Sequence, residues 1–199
     1  MKIYNSLSKK AEAFQPRSRG AVKIYTCGPT VYARPHIGNF RTYVFEDAVK
    51  RYLLYQGYRV RHVMNITDID DTVTKEAKKT GMARAALTRK YEKLFRQDAS
   101  ALGIIPASKY PHVSDYVERM AGTVARLMKM GTAYKDGKCR VFFDISKFSS
   151  YGKLVGRKIA GSRKVMREEY KPFQAGDFLL WSKCKEKKCE KCFQTKLGM

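Results

Sequence analysis

The stretch from Ala21 to Met64 limits what this chain can fold into more than any other. Residues 21–27 read as a strand built on the apolar run Val22 to Tyr25. A turn of small and polar residues follows, Cys27-Gly28-Pro29-Thr30-Val31-Tyr32-Ala33-Arg34-Pro35. Val44, Phe45, Ala48, Val49, Tyr52 and Leu53 then recur at helical spacing, and Gly57 closes that helix. Arg59 to Met64 reads as a second strand. Strand, helix and strand of this length make a βαβ crossover, so the two strands are expected to be parallel neighbours in an α/β sheet. In such sheets ligands bind outside the carboxyl ends of the strands. The residues just after Tyr25 and just after Met64 are therefore the first candidates for chemistry.

Farther along, residues 72–80 read as a helix ended by Gly81. A run over about 84–102 carries Leu87, Tyr91, Leu94, Phe95 and Leu102 before Gly103. A helix over about 114–130 places Val117, Met120, Ala121, Val124, Leu127 and Met128 on one stripe and ends at Gly131. The texture then changes. Short strand-like pieces lie at Thr132 to Tyr134, Arg140 to Asp144 and Asp177 to Trp181, with a Gly-, Ser- and Lys-rich stretch, 146–171, read as loops. From Lys183 on there is no amphipathic period, which predicts a basic tail. The expected organisation is 1–104, 105–182 and 183–199.

With 199 residues and 44% hydrophobic content the chain is a normal globular length. No apolar run reaches a membrane span and the first residues lack a signal-peptide core, so a cytoplasmic protein is expected. The 41 Lys and Arg against 18 Asp and Glu give a net charge of +23. That surplus predicts a polyanionic partner, nucleic acid before acidic membrane; the alternative is a solvated Lys-rich surface. The five cysteines, at 27, 139, 184, 189 and 192, are odd in number and mostly late, which argues against a disulfide framework.

His36 and Gly38 stand just ahead of the long helix, where backbone N–H groups hold phosphate. The alternative is a surface His that caps the helix. Cys27 sits at the strand end, beside the same crevice, or is a small buried hydrophobe. Asn65-Ile66-Thr67-Asp68-Ile69-Asp70-Asp71 puts three carboxylates at the end of the second strand, as an acidic rim or as helix caps. Cys189 and Cys192 form one C-x-x-C pair beside Cys184. That is half a metal site, completed by Cys27 or Cys139 only if the tail folds back, or else a set of reduced thiols.

His36-Ile37-Gly38-Asn39 resembles the "HIGH" signature of class I aminoacyl-tRNA synthetases. The preceding Cys27-Gly28-Pro29-Thr30-Val31-Tyr32 and the string Asn65 to Asp71 narrow the resemblance to the cysteinyl-tRNA synthetases. It extends over residues 2–198 and over less than half of a typical member. It implies the first half of a Rossmann-like (HUP-type) catalytic domain with a partial connective insertion. It implies that His36 and Asn39 stabilise the ATP phosphates, with Thr30 and Gly38 also at the nucleotide and Mg²⁺ accompanying it. Gly28, Thr30 and Thr67 would meet cysteine. Cys27 would be a ligand of Zn²⁺, which takes the substrate thiolate directly. Sulfur suits zinc and a serine hydroxyl is a far poorer ligand, so no editing domain is needed where an apolar pocket would discriminate only ~10²-fold.

The same resemblance implies that the other zinc ligands, a Cys, a His and a Glu, lie beyond Met199. The "KMSKS" loop, the second half of the nucleotide fold and the anticodon-reading helices lie there too. Residues 105–180 resemble the region that receives the tRNA acceptor end. There Tyr151, Phe173 and Trp181 lie among Arg157, Lys158, Arg163, Lys164 and Arg167, as stacking surfaces for RNA or as core. The expected activity is cysteine-tRNA ligation in an incomplete form, with cysteine, ATP and tRNA(Cys) as partners. The rivals are a cysteine ligase acting on a small amine and a non-catalytic nucleic-acid-binding paralogue.

Overall fold

A computed structural model describes residues 1–136, 140–156 and 176–182. In chain order the elements are β1 (Lys2–Asn5), β2 (Lys10–Ala13), β3 (Ala21–Thr26), α1 (Ile37–Tyr55), β4 (Arg59–Met64), α2 (Asp71–Thr80), α3 (Arg84–Ala101), α4 (Val117–Lys129), β5 (Ala133–Lys135), β6 (Val141–Phe143) and β7 (Phe178–Trp181). They fall into two compact units, one from Gln15 to Tyr116, the other from Met1 to Phe14 together with the chain from Val117 on.

The Gln15–Tyr116 unit is the βαβ crossover with a helical pair. β3 and β4 run parallel, in register from Ala21 opposite Arg59 to Thr26 opposite Met64. α1 makes the crossover, and Gly57 turns the chain back toward β4 at φ +80°, a left-handed angle that glycine adopts freely. The other edge of β4 is also occupied. Met64 N–H donates to Lys109 O (3.1 Å), Ile66 N–H to Pro111 O (2.9 Å) and Val113 N–H to Ile66 O (3.1 Å). Residues 109–113 thus add a third parallel segment that Pro111 hides from a propensity reading.

The core of this unit joins the sheet to α1 and α3. Val31, Phe40, Tyr43, Met64, Ile66, Phe95 and Ala99 form one buried cluster. Phe40 stacks on Phe95 with centroids 6.2 Å apart, and Tyr43 meets Phe95 edge-on at 5.4 Å. Side chains of this size each contribute about 1.5–3 kcal/mol by leaving water. α2 starts at Asp70, whose side chain accepts from Thr72 N–H (2.7 Å), and stops at Gly81 in the left-handed region. Val73 and Ala77 of α2 pack on Leu87 of α3.

In the other unit β5, β6 and β7 form an antiparallel sheet in that order. Val124 of α4 packs with Ala133 and Val141, and Trp181 lies against that cluster. Tyr151 stacks on Phe178, 6.0 Å between centroids. Both aromatics are thus packed within their own unit. Phe173, Cys139, Cys184, Cys189, Cys192 and the basic residues 157–167 lie outside the described residues. The hairpin β1–β2, with Lys9 at φ 59°, is an element the sequence reading did not anticipate.

Candidate active site

Beyond their last ladder positions β3 and β4 stay side by side. Thr67 N–H donates to Pro29 O (3.0 Å) and Val31 N–H to Thr67 O (3.2 Å), so Thr30 and Thr67 form a parallel bridge. The two signature segments therefore meet at the carboxyl edge of the sheet, where the topology puts ligands.

Asn65 ties them together. Its Oδ1 accepts from Gly28 N–H (3.1 Å) and from Tyr25 Oη (3.1 Å), and its Nδ2 donates to Thr67 Oγ1 (3.0 Å). The backbones approach so closely that a Cβ on Gly28 would overlap the Asn65 carbonyl oxygen and sit 2.7 Å from Met64 Cγ. Only glycine fits there. Cys27, next in line, is exposed, with its Sγ 3.9 Å from Gly28 O.

The second half of the site is the start of α1. His36 is the N-cap, with φ −91° and ψ 172°. Its Nδ1 accepts from Gly38 N–H (3.1 Å), and Asn39 Oδ1 accepts from the His36 N–H (3.1 Å). A neutral ring that accepts at Nδ1 carries its proton on Nε2, so an N–H donor is left for a ligand. A Cβ on Gly38 would come within 2.9 Å of His36 Cε1, so the glycine makes room for the ring. The first turn of α1 holds no acidic residue, which leaves the positive end of the helix dipole uncompensated. The loop before it is anchored by Arg34, which donates to both Asp98 oxygens at 2.8 and 2.6 Å and holds that carboxyl below its usual range.

His36 thus caps α1. In the acidic rim Asp70 caps α2, and Asp68 Oδ1 accepts from Ser114 N–H (3.0 Å).

Beneath Cys27 lies a polar group of residues that sequence reasoning did not single out. Burial, then Glu46, then Cys27 push the Tyr43 hydroxyl up to about 12. Burial also raises Glu46, against the Thr26 hydroxyl, and Glu46 Oε2 is buried without a hydrogen-bond partner. Thr26 Oγ1 lies 2.9 Å from His62 Nε2, and burial pushes the His62 ring below its usual range. Tyr43 and His62 follow helix and strand periodicity and carry no motif of their own. Asn65 opens the string Asn65 to Asp71 that the sequence marks, but its bridge to Gly28 is not part of that signal.

Among the described residues no three His, Cys, Asp or Glu converge as metal ligands. A catalytic zinc needs about three protein ligands, and Cys27 alone does not supply them.

The parallel βαβ unit, with His36 capping its helix and paired strand-end segments beside it, is the first part of a class I aminoacyl-tRNA synthetase catalytic domain, as its family match shows. The chain belongs to the family described as tRNA synthetases class I (C) catalytic domain, which it matches over residues 13–199. The cysteine–tRNA ligase of Chlamydia caviae is 44% identical over 189 residues, 94% of this chain and 40% of that protein. That of Pyrococcus horikoshii is 44% identical over 187 residues, 93% of this chain and 39% of its own. The chain thus spans about two fifths of the length of these relatives. Among solved structures, Mycobacterium tuberculosis methionyl-tRNA synthetase in complex with methionyl-adenylate superposes with a TM-score of 0.51 at 25% identity, covering 57% of this chain and 23% of that one. The Agrobacterium radiobacter K84 LeuRS–tRNA–LeuAMS complex gives 0.53 at 24% identity, covering 67% and 18%, and shares the fold.

Proposed function

We propose that this chain supplies the cysteine- and nucleotide-facing first half of a cysteine–tRNA ligase catalytic domain. The observation that carries the reading is the Asn65 bridge, which joins Gly28 and Thr67 into one rigid ledge at the sheet edge. The names of the relatives supply the substrate.

In this reading the ledge of Gly28, Thr30 and Thr67 receives cysteine. The Thr67 hydroxyl accepts from Asn65 and keeps its own proton to donate. A cysteine carboxylate oxygen attacks the α-phosphorus of ATP in line, the P–O bond to the β-phosphate breaks, and pyrophosphate leaves with the electron pair. His36 Nε2–H and the α1 N-terminus, with Gly38 and Asn39, stabilise the charge that develops on the phosphates. Mg²⁺ accompanies the nucleotide. The 3′ hydroxyl end of tRNA(Cys) then displaces AMP from the adenylate. Catalysis is positioning and charge stabilisation, with no covalent enzyme intermediate. The reading places the protein in the cytoplasm, with the relatives' translation role as its ground; separately, no described helix is long and apolar enough to cross a membrane.

A chimera tests this directly. Residues 13–199 replace the matching segment of the Chlamydia caviae enzyme, and charging of tRNA(Cys) with cysteine is measured. Charging near the parental level supports the reading. A folded chimera that forms adenylate but passes it to a small amine, or forms none, contradicts it.

A further inference from the structure

α3 carries a stripe that the catalytic reading does not use. Arg89, Lys93, Gln97 and Ser100 follow one another at steps of four, four and three residues, with Arg96 three residues after Lys93 beside them, and together they line an open groove of about 820 Å³ along the helix. Positions three to four apart share a helix face. Neither Arg89 nor Lys93 has an ion-pair partner among the described residues, and both are exposed. The carboxylate in the groove, Glu92, is already neutralised. Arg96 donates to it from Nε (2.9 Å) and Nη2 (2.7 Å), and His112 Nε2 lies 2.8 Å away. Burial alone would push the Glu92 carboxyl up, but these partners outweigh it and hold it low. Arg96 is itself fixed, with its guanidinium 4.2 Å from the centroid of the Tyr110 ring.

We propose that this α3 stripe is a docking surface for the sugar–phosphate backbone of RNA. The step from Arg89 to Lys93 is about 6 Å along the helix axis, comparable to the step between successive phosphates of one strand. Gln97 and Ser100 continue the line with hydrogen-bonding groups suited to ribose hydroxyls. The partner's sign follows from the free cations here and from the chain's net charge of +23. The stripe sits on the helix whose Asp98 anchors the loop leading to His36. RNA laid along it is therefore registered against the catalytic edge through that ion pair. This surface rests on the tRNA reading above.

The test is binding of a tRNA(Cys) transcript to the 199-residue chain across a salt series, with two double variants. Arg89→Ala/Lys93→Ala removes the free cations of the stripe. Lys2→Ala/Lys10→Ala removes the same charge from the exposed β1–β2 hairpin. Each lost phosphate contact lowers the slope of log affinity against log salt by about 0.7–0.9. The stripe variant is expected to lose roughly 1.4–1.8 from the slope, while the hairpin variant keeps the wild-type slope. Equal losses in both variants would show a diffuse field and overturn the surface. An unchanged slope in the stripe variant would also overturn it. Failure of the wild-type chain to bind RNA at low salt would instead count against the tRNA reading itself. Within the chimera, the stripe variant should keep cysteine-dependent ATP–pyrophosphate exchange while its KM for tRNA rises. A loss of exchange would mean that the stripe serves the fold.

Discussion

The Asn65 amide reaches the Thr67 hydroxyl at 3.0 Å, and through its other end holds the Gly28 N–H at 3.1 Å. One side chain thus links the two signature segments, beside the backbone bridge between Thr30 and Thr67. Replacing it with Ala leaves a half-buried N–H without its acceptor and frees the Thr67 hydroxyl to rotate. Misplacement of about 1 Å costs up to ~10²-fold in rate. In the chimera, Asn65→Ala should raise KM for cysteine far more than KM for ATP. Asn65→Asp keeps the acceptor for Gly28 and loses the donor to Thr67, so it should fall between the two. Equal changes in both KM values would remove Asn65 from the cysteine side.

Gly28→Ala tests the close approach of the strands. The new methyl must push against backbone, which cannot swing aside as a flexible side chain would. A loss of about 1–3 kcal/mol is expected from such overpacking, read as a lower midpoint in denaturant unfolding. A midpoint equal to wild type would mean that β3 and β4 part more easily at their ends than their hydrogen bonds indicate.

A pair of substitutions separates the capping role of His36 from its proposed role at phosphate. His36→Ala removes the cap acceptor, about 0.5–2 kcal/mol, together with the proposed phosphate donor, ~10²–10³ in rate. His36→Asn restores a good cap but offers no Nε2–H at that reach. Exchange should stay low in both variants, while thermal stability recovers in His36→Asn. Recovery of exchange along with stability would reduce His36 to a cap.

Much of this was legible from sequence, for physical reasons. The βαβ unit appears because β3, α1 and β4 each follow their own periodicity and Gly57 ends the helix, so the parallel pairing of the two strands followed from the connection, while their register came from the structure. The helix stops at Gly81, Gly103 and Gly131 were legible because each glycine takes a positive φ there. Residues 109–113 were not, since a strand-like segment with Pro111 lacks the alternation that marks a strand. The β1–β2 hairpin was also missed; its residues are exposed on both faces and so have no apolar face to read. Within the site, Gly28, Thr30 and Thr67 came from a motif. The link of Gly28 to Thr67 through Asn65 rests on a side-chain hydrogen bond from Gly28 across 37 positions, which no local pattern encodes.

The buried His62 gives a pH dependence of known sign. Burial, then the nearby Lys50, push its folded pKa below the ordinary 6.5, with Asp47 acting the other way. Thr26 Oγ1 faces its Nε2, and the raised Glu46 carboxyl lies beyond Thr26. As pH falls through 6.5 the unfolded chain binds a proton that the folded one refuses, so stability drops. Glu46, whose folded pKa is raised, works in the opposite direction around its own range. Unfolding of wild type and His62→Phe should therefore be compared from pH 7.5 to 5. The wild type should lose stability relative to the variant as pH falls, and parallel curves would show that His62 is as easily protonated folded as unfolded.

The central claim, that this chain brings cysteine and the ATP phosphates to one sheet edge, is tested most directly by ATP–pyrophosphate exchange in the Chlamydia caviae chimera. Exchange should require cysteine, lie within about tenfold of the parent enzyme, and fall ~10²-fold or more with His36→Asn. A chimera that unfolds with the parent's cooperativity yet shows no cysteine-dependent exchange, or whose exchange is indifferent to His36, would contradict it.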